Sequence, residues 1–281
     1  MYKESNQFKQ KLSLVYLWLV PPVTAAIGFG IGPVSYKIYL PVWGLNACLM
    51  ILSTYHLGVH RLWMQDRPGR YQAITALLLF SPWLLFSIFA GMGPPPSTAA
   101  GWAATATEQQ TRYYLLIIGG IIANFGFALL YQKLKNDGEQ LYAQLGFSAM
   151  STALPLFIIN MAFWGSFLSE SSKIFIGTKR PEWYAPIREL FFSVSLVEVS
   201  LLYLGTAAFG AALKKSGYLS PRACNTYIII SLAGSFLNLI PPASPEPLAT
   251  LSYLVAIPAI PFIMPYLIGI NLLRKNNLPG T

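Results

Sequence analysis

From Leu12 to Leu273 the chain is a succession of apolar stretches, each close to the length of about 20 residues that crosses a bilayer as one helix. Short polar or proline-rich connections separate them. In hydrocarbon every backbone N–H and C=O must be satisfied internally, so only helices and closed barrels cross it. A barrel would read as alternating strands of about ten residues, whereas these runs are continuous. The sequence therefore predicts an all-α polytopic helical membrane protein, with residues 1–281 forming a single integral membrane domain.

Composition agrees. A soluble domain carries about 25% charged residues because its surface faces water. This chain carries 10% and is 54% hydrophobic. Its surface must face another solvent, and the lipid bilayer is its expected partner.

About eight spans of bilayer length can be drawn. They fall near Leu12–Gly32, Ile38–Leu62, Tyr71–Met92, Tyr113–Leu134, Leu145–Leu168, Pro186–Leu213, Arg222–Ile240 and Leu248–Leu273. The first has the outline of a secretory signal, with lysines before an apolar run. Pro21 and Pro22 lie inside it and no clean cleavage site follows, so it is expected to remain as a span.

The net charge of +9 would suit a nucleic-acid binder, but in a membrane chain basic residues mark the cytoplasmic side. Lys3, Lys9 and Lys11 precede the first span, and Arg61, Arg67 and Arg70 follow the second. Lys133 and Lys135 follow the fourth, Lys214, Lys215 and Arg222 the sixth, and Arg274 and Lys275 the last. An even number of spans puts all of these on one side. The connections "GPPPSTAAGWAATATEQQ" and "PPASPEP" are free of Lys and Arg, while "SESSKIFIGTKRPEWYAPIRE" is a basic exception. The expectation is a multi-pass protein of the cell (inner) membrane, N- and C-termini cytoplasmic, with no nucleic-acid partner.

The two halves resemble each other. "ACLMILSTYHLGVHRLW" from Ala47 aligns without gaps on "VSLLYLGTAAFGAALKK" from Val199, matching Leu49 to Leu201, Thr54 to Thr206 and Gly58 to Gly210. "SYKIYLP" before the first echoes "SSKIFIG" before the second. Two parallel repeats of four spans each, residues 12–136 and 145–276, would follow, a plan known among transporters.

A charge in hydrocarbon costs several kcal/mol, so an ionisable residue inside a span marks a functional site by default. Glu198 is the only acidic residue well inside an expected span. It lies roughly 17 Å along the sixth helix, too deep for its carboxyl to reach the surface. It must be protonated, paired or open to a hydrated cavity. The repeat alignment sets Asn46 opposite it. Asn124 and Asn160 also lie inside spans, where asparagine commonly bonds a neighbouring helix. Asn238 lies nearer the end of the seventh span.

Prolines interrupt the first, third, fifth and eighth spans at Pro21–Pro22, Pro82, Pro155, and Pro258, Pro261 and Pro265. Each removes an amide donor and frees a carbonyl upstream. The eighth span, with three, is expected to be the least straight.

His56 and His60 share a helix face at i,i+4. Zinc needs at least a third protein ligand, and these are the only two histidines. Cys48 and Cys224 form no CxxC pattern. Neither a metal site nor a cofactor is expected. His60 reads as a headgroup-level residue beside Arg61 and Trp63, and His56, a turn deeper, as a candidate member of a proton path.

The function expected is movement of a small solute or ion along Glu198, Asn46, Asn124, Asn160 and His56, coupled to protons where Glu198 titrates. Two other classes stay open: a membrane-embedded enzyme or redox subunit acting on lipid or quinone, and a structural or sensory subunit of a membrane complex. The enzyme reading lacks a recognisable nucleophile set, zincin motif or Gly-rich phosphate loop.

Overall fold

The computed structural model describes residues 2–176, 181–241 and 243–274, without the side chains of residues 2–6. Lys275, Lys179, Arg180 and the Lys3 side chain, all part of the charge pattern, lie outside the described residues, as does the end of the second expected repeat.

Among the described residues the protein is all-helical, with no strand. The helices are α1 (Tyr2–Gly30), α2 (Tyr36–Thr54), α3 (His60–Trp63), α4 (Arg67–Phe86), α5 (Phe89–Met92), α6 (Ala99–Ala104) and α7 (Ala106–Asn136). They continue with α8 (Leu141–Ala162), α9 (Leu168–Ile174), α10 (Tyr184–Lys215), α11 (Pro221–Asn238), α12 (Leu248–Ala256) and α13 (Ile263–Arg274). A π turn at Tyr55–Val59 joins α2 to α3, and another at Phe163–Phe167 joins α8 to α9.

Six helical segments are long and apolar enough to cross a membrane: Gln7–Gly30, Tyr36–Trp63, Arg67–Met92, Ala106–Asn136, Leu141–Ile174 and Tyr184–Lys215. Helix α12 and the 260–274 segment make a seventh if a pair bent by 70° is counted as one span. The stretch expected as a further span, Arg222–Ile240, folds as α11, 18 residues long. It is not among the apolar six, because Arg222, Asn225, Asn238 and several hydroxyl side chains dilute it. The count is thus six or seven where the sequence suggested eight.

Prolines act unequally. Pro21, Pro22, Pro41, Pro82 and Pro155 sit inside continuous helices. Pro258 falls in the break between α12 and the 3₁₀ turn Ile260–Phe262, where the bend expected of this stretch occurs.

Helix ends follow local chemistry. The Ser220 hydroxyl accepts from the Ala223 amide, and Pro221 opens α11 where no N–H is needed. Helices α7 and α10 end alike, on Gly138 and Gly217 with φ of 91° and 65°. The next amides, Glu139 and Tyr218, return to the Leu134 and Leu213 carbonyls at 3.0 and 2.9 Å. This closure needs a left-handed residue that glycine adopts without steric cost.

At the centre α10 packs against α8 and α11, while α7 packs between α4 and α8, and α13 lies on α4. Gly146 of α8 and Gly205 of α10 face each other so closely that a Cβ on either would lie 3.1 Å from the other's carbonyl oxygen. Small residues let helix backbones approach in this way. Trp83, Phe80, Phe86, Phe127, Phe157, Phe209 and Tyr266 fill the core. Helices α1 and α2 stand to one side, and much of the apolar surface of α2 is exposed.

The connections expected on one side do converge. Arg61 donates to the Leu273 carbonyl at 3.2 Å, and Gln72 to the Leu272 carbonyl at 2.6 Å. Tyr218 donates to Gln72 at 3.0 Å, Lys133 lies 4.8 Å over the Tyr218 ring, and Lys215 pairs with Glu139 at 3.1 Å. At the other end buried Arg112 donates to the Met92 and Gly93 carbonyls at 3.1 and 2.7 Å. There Gln110 donates to Glu170 at 3.0 Å, tying the 89–112 region to α9. One end of the bundle is therefore rich in basic residues and the other is mixed.

Candidate functional site

Glu198 lies near the middle of α10 with no exposed surface, and Asn160 of α8 is equally enclosed. The two helices run antiparallel in close contact, which brings both side chains to one depth. The Asn160 amide nitrogen donates to Glu198 Oε1 at 2.9 Å, and its Oδ1 accepts from the Trp164 indole N–H at 2.8 Å. Both faces of the amide are used, which sets its orientation. Trp164 is one turn beyond Asn160, inside the π turn of α8. Such turns insert a residue into the helix and recur at functional positions. Phe163 stacks on Phe191 at 3.8 Å and Trp164 meets Phe192 edge-on at 5.5 Å, fixing this turn to the first half of α10.

The second Glu198 oxygen, Oε2, is buried with no hydrogen-bond partner among the described residues. No ion pair to Glu198 occurs among them either. Asn238 at the end of α11 donates to the Leu196 carbonyl and to the Ser200 hydroxyl, each at 2.9 Å, flanking Glu198 along α10. Tyr203 ties the same helix to the broken α12 through the Val255 carbonyl at 3.1 Å. Glu198 is thus held at one oxygen by an amide and, among the described residues, unpartnered at the other within a tightly packed helix pair.

One turn toward the basic end lies a cavity of about 10 Å³ lined by Asn124 of α7, Phe157 of α8, Leu202 of α10 and Phe262 beside the helix break. That volume holds about one water. Asn124 Oδ1 is buried there without a partner among the described residues. The cavity's lining residues Phe157 and Leu202 lie about one turn from Asn160 and Glu198 on the same two helices.

Asn46 and His56 are elsewhere. Asn46, expected on a helix facing Glu198, is on peripheral α2 and accepts from the Tyr16 hydroxyl of α1 at 2.6 Å. Helix α10 is enclosed by α8 and α11, and α2 packs mainly on α1 and α5, so the two polar pairs are separate. His56 lies in the first π turn, lining a groove between α1 and α2. Next to it, Gly58 admits the end of α13, since a Cβ there would collide with the Leu273 carbonyl oxygen.

The sequence leads one to expect an Asn, Tyr or Ser of another span beside Glu198 and a deeply packed Trp164. It does not single out Asn160 as that partner or Trp164 as the donor to it. The i,i+4 spacing of Asn160 and Trp164 is legible, but helix partners are not. Comparison with protein-family models, with curated proteins and with solved structures gives no match to this chain.

Proposed function

We propose that the chain is an integral protein of the cell (inner) membrane, with both termini cytoplasmic, that moves a small solute or ion in step with proton exchange at Glu198. The observation that carries this reading is the fully enclosed Glu198 carboxyl, held through one oxygen by Asn160 and bare at the other. Burying a carboxyl in a helix pair costs stability, and an apolar pair would pack as well or better. Its presence at mid-helix is accounted for by a group that takes up and releases a proton or binds a cation.

In this reading Asn160 holds Oε1 in either protonation state, since its amide donates to a carboxylate or to a carboxylic C=O. Trp164 fixes the direction of that amide, leaving Oε2 as the exchanging atom. The cavity at Asn124 offers a water-sized relay position toward the basic end. The bend between α12 and α13 adjoins this cavity through Phe262, and broken helices of this type form sites in transporters. The cytoplasmic assignment of the basic end draws on its arginines and lysines.

The test is reconstitution into liposomes carrying an internal pH dye, with proton, sodium and potassium gradients imposed in turn. Wild type is expected to move protons or charge in response to at least one gradient, and Glu198→Gln to lose that response. Equal traces from wild type and Glu198→Gln would overturn the reading.

A further inference from the structure

Away from the Glu198 centre, a groove of about 370 Å³ opens between α1 and α2 at the basic end. Its chemistry changes with depth. Lys9 and His56 stand at the mouth, Ser13 and Ser53 about a turn below, and Tyr16 at the inner end, bonded to Asn46. Leu12, Leu49 and Leu52 supply the apolar wall. On α1 the residues recur at i, i+3/4 and i+7, and on antiparallel α2 the same spacing runs in reverse, so each set lies on one helix face.

Two observations point to an occupant. Ser13 is only 7% exposed, yet its hydroxyl makes no hydrogen bond among the described residues. Lys9 has no acidic partner among them, and the His56 ring meets only an edge of Tyr55. The groove thus presents a cation and an imidazole above free hydroxyls above leucines. Its apolar wall runs on into exposed Val15, Leu19 and Leu45.

We infer that this groove holds one anionic phospholipid of the leaflet at the basic end. Its phosphate lies against Lys9 and His56, the ester carbonyls accept from Ser13 and Ser53, and an acyl chain follows Leu12, Leu49 and Leu52. A free phosphate would satisfy the mouth but leave the leucine wall without an occupant. The inference rests on the membrane reading, and is independent of whether Glu198 exchanges protons.

The test uses the full chain in phosphatidylcholine nanodiscs doped with phosphatidylglycerol. After transfer to mild detergent, retained lipid is counted by native mass spectrometry. Wild type is expected to keep phosphatidylglycerol in preference to phosphatidylcholine. Lys9→Gln should cut that retention about fivefold, the equivalent of roughly one surface cation's contribution. Lys11→Gln, an equal charge change outside the groove, should leave it intact. Equal retention of the two lipids, or equal loss in the Lys9 and Lys11 variants, would overturn the inference. So would displacement of the lipid by inorganic phosphate alone. Failure of the membrane reading would show separately, as a protein that stays in solution without detergent.

Discussion

The side-chain amide of Asn160 donates to Glu198 at 2.9 Å across the α8–α10 contact, both residues having no exposed surface. A hydrogen bond so enclosed matters less for what it adds than for what its loss strands.

Asn160→Leu leaves the Glu198 carboxyl with no partner and the Trp164 indole N–H unsatisfied. It should cost about 2–4 kcal/mol, as removing one member of a buried polar pair does. The double variant Asn160→Leu/Glu198→Leu should recover the part of that cost owed to the stranded carboxyl, leaving about 1–2 kcal/mol for the Trp164 indole N–H that has lost its acceptor. Thermal melting of all four members of the cycle in one detergent measures this coupling. Strict additivity of the two single changes would show that the pair is not an energetic unit.

Gly58→Ala should destabilise by about 1–3 kcal/mol, since its Cβ meets the backbone carbonyl of Leu273 and neither helix can yield without moving the other. Gly30→Ala, with no atom within 4 Å of the new Cβ, should be neutral or gain up to about 1 kcal/mol. The two melting midpoints, compared side by side, check the close approach of α13 to the π turn.

Helix positions were legible because length and apolarity alone define a membrane-length segment. The bend near Pro258 was legible for a similar local reason: a ring in place of an amide donor. What each helix packs against was not. In a soluble helix the apolar stripe points to the core, but here both faces of α10 are apolar and exposed leucines read like buried ones. Phe192 and Leu196 are exposed while Val199 and Leu202 are enclosed, with nothing in residue type to separate them. The alignment that set Asn46 against Glu198 rested on leucines and small residues of this kind. The structure gives each its own partner, Tyr16 and Asn160. Helix α11 has bilayer length and an isoleucine run, but its polar ends keep it out of the apolar six.

Orientation can be read with single cysteines in a background lacking Cys48 and Cys224. Ala100→Cys and Asn136→Cys replace exposed residues at opposite ends of the bundle. With the basic end cytoplasmic, a membrane-impermeant maleimide added to intact cells should label position 100 and spare position 136 until the membrane is opened. The reverse pattern would invert the topology and place the Lys9 groove in the other leaflet.

Proton exchange at Glu198 is the claim on which the functional reading stands, and the carboxyl can be observed directly. Difference infrared spectra of the reconstituted protein across a pH titration should contain a buried-carboxyl C=O stretch that appears and vanishes with pH. That band should be absent from Glu198→Gln, while the fold, followed by circular dichroism, is unchanged. A wild-type difference spectrum that matches that of Glu198→Gln throughout the titration would contradict it.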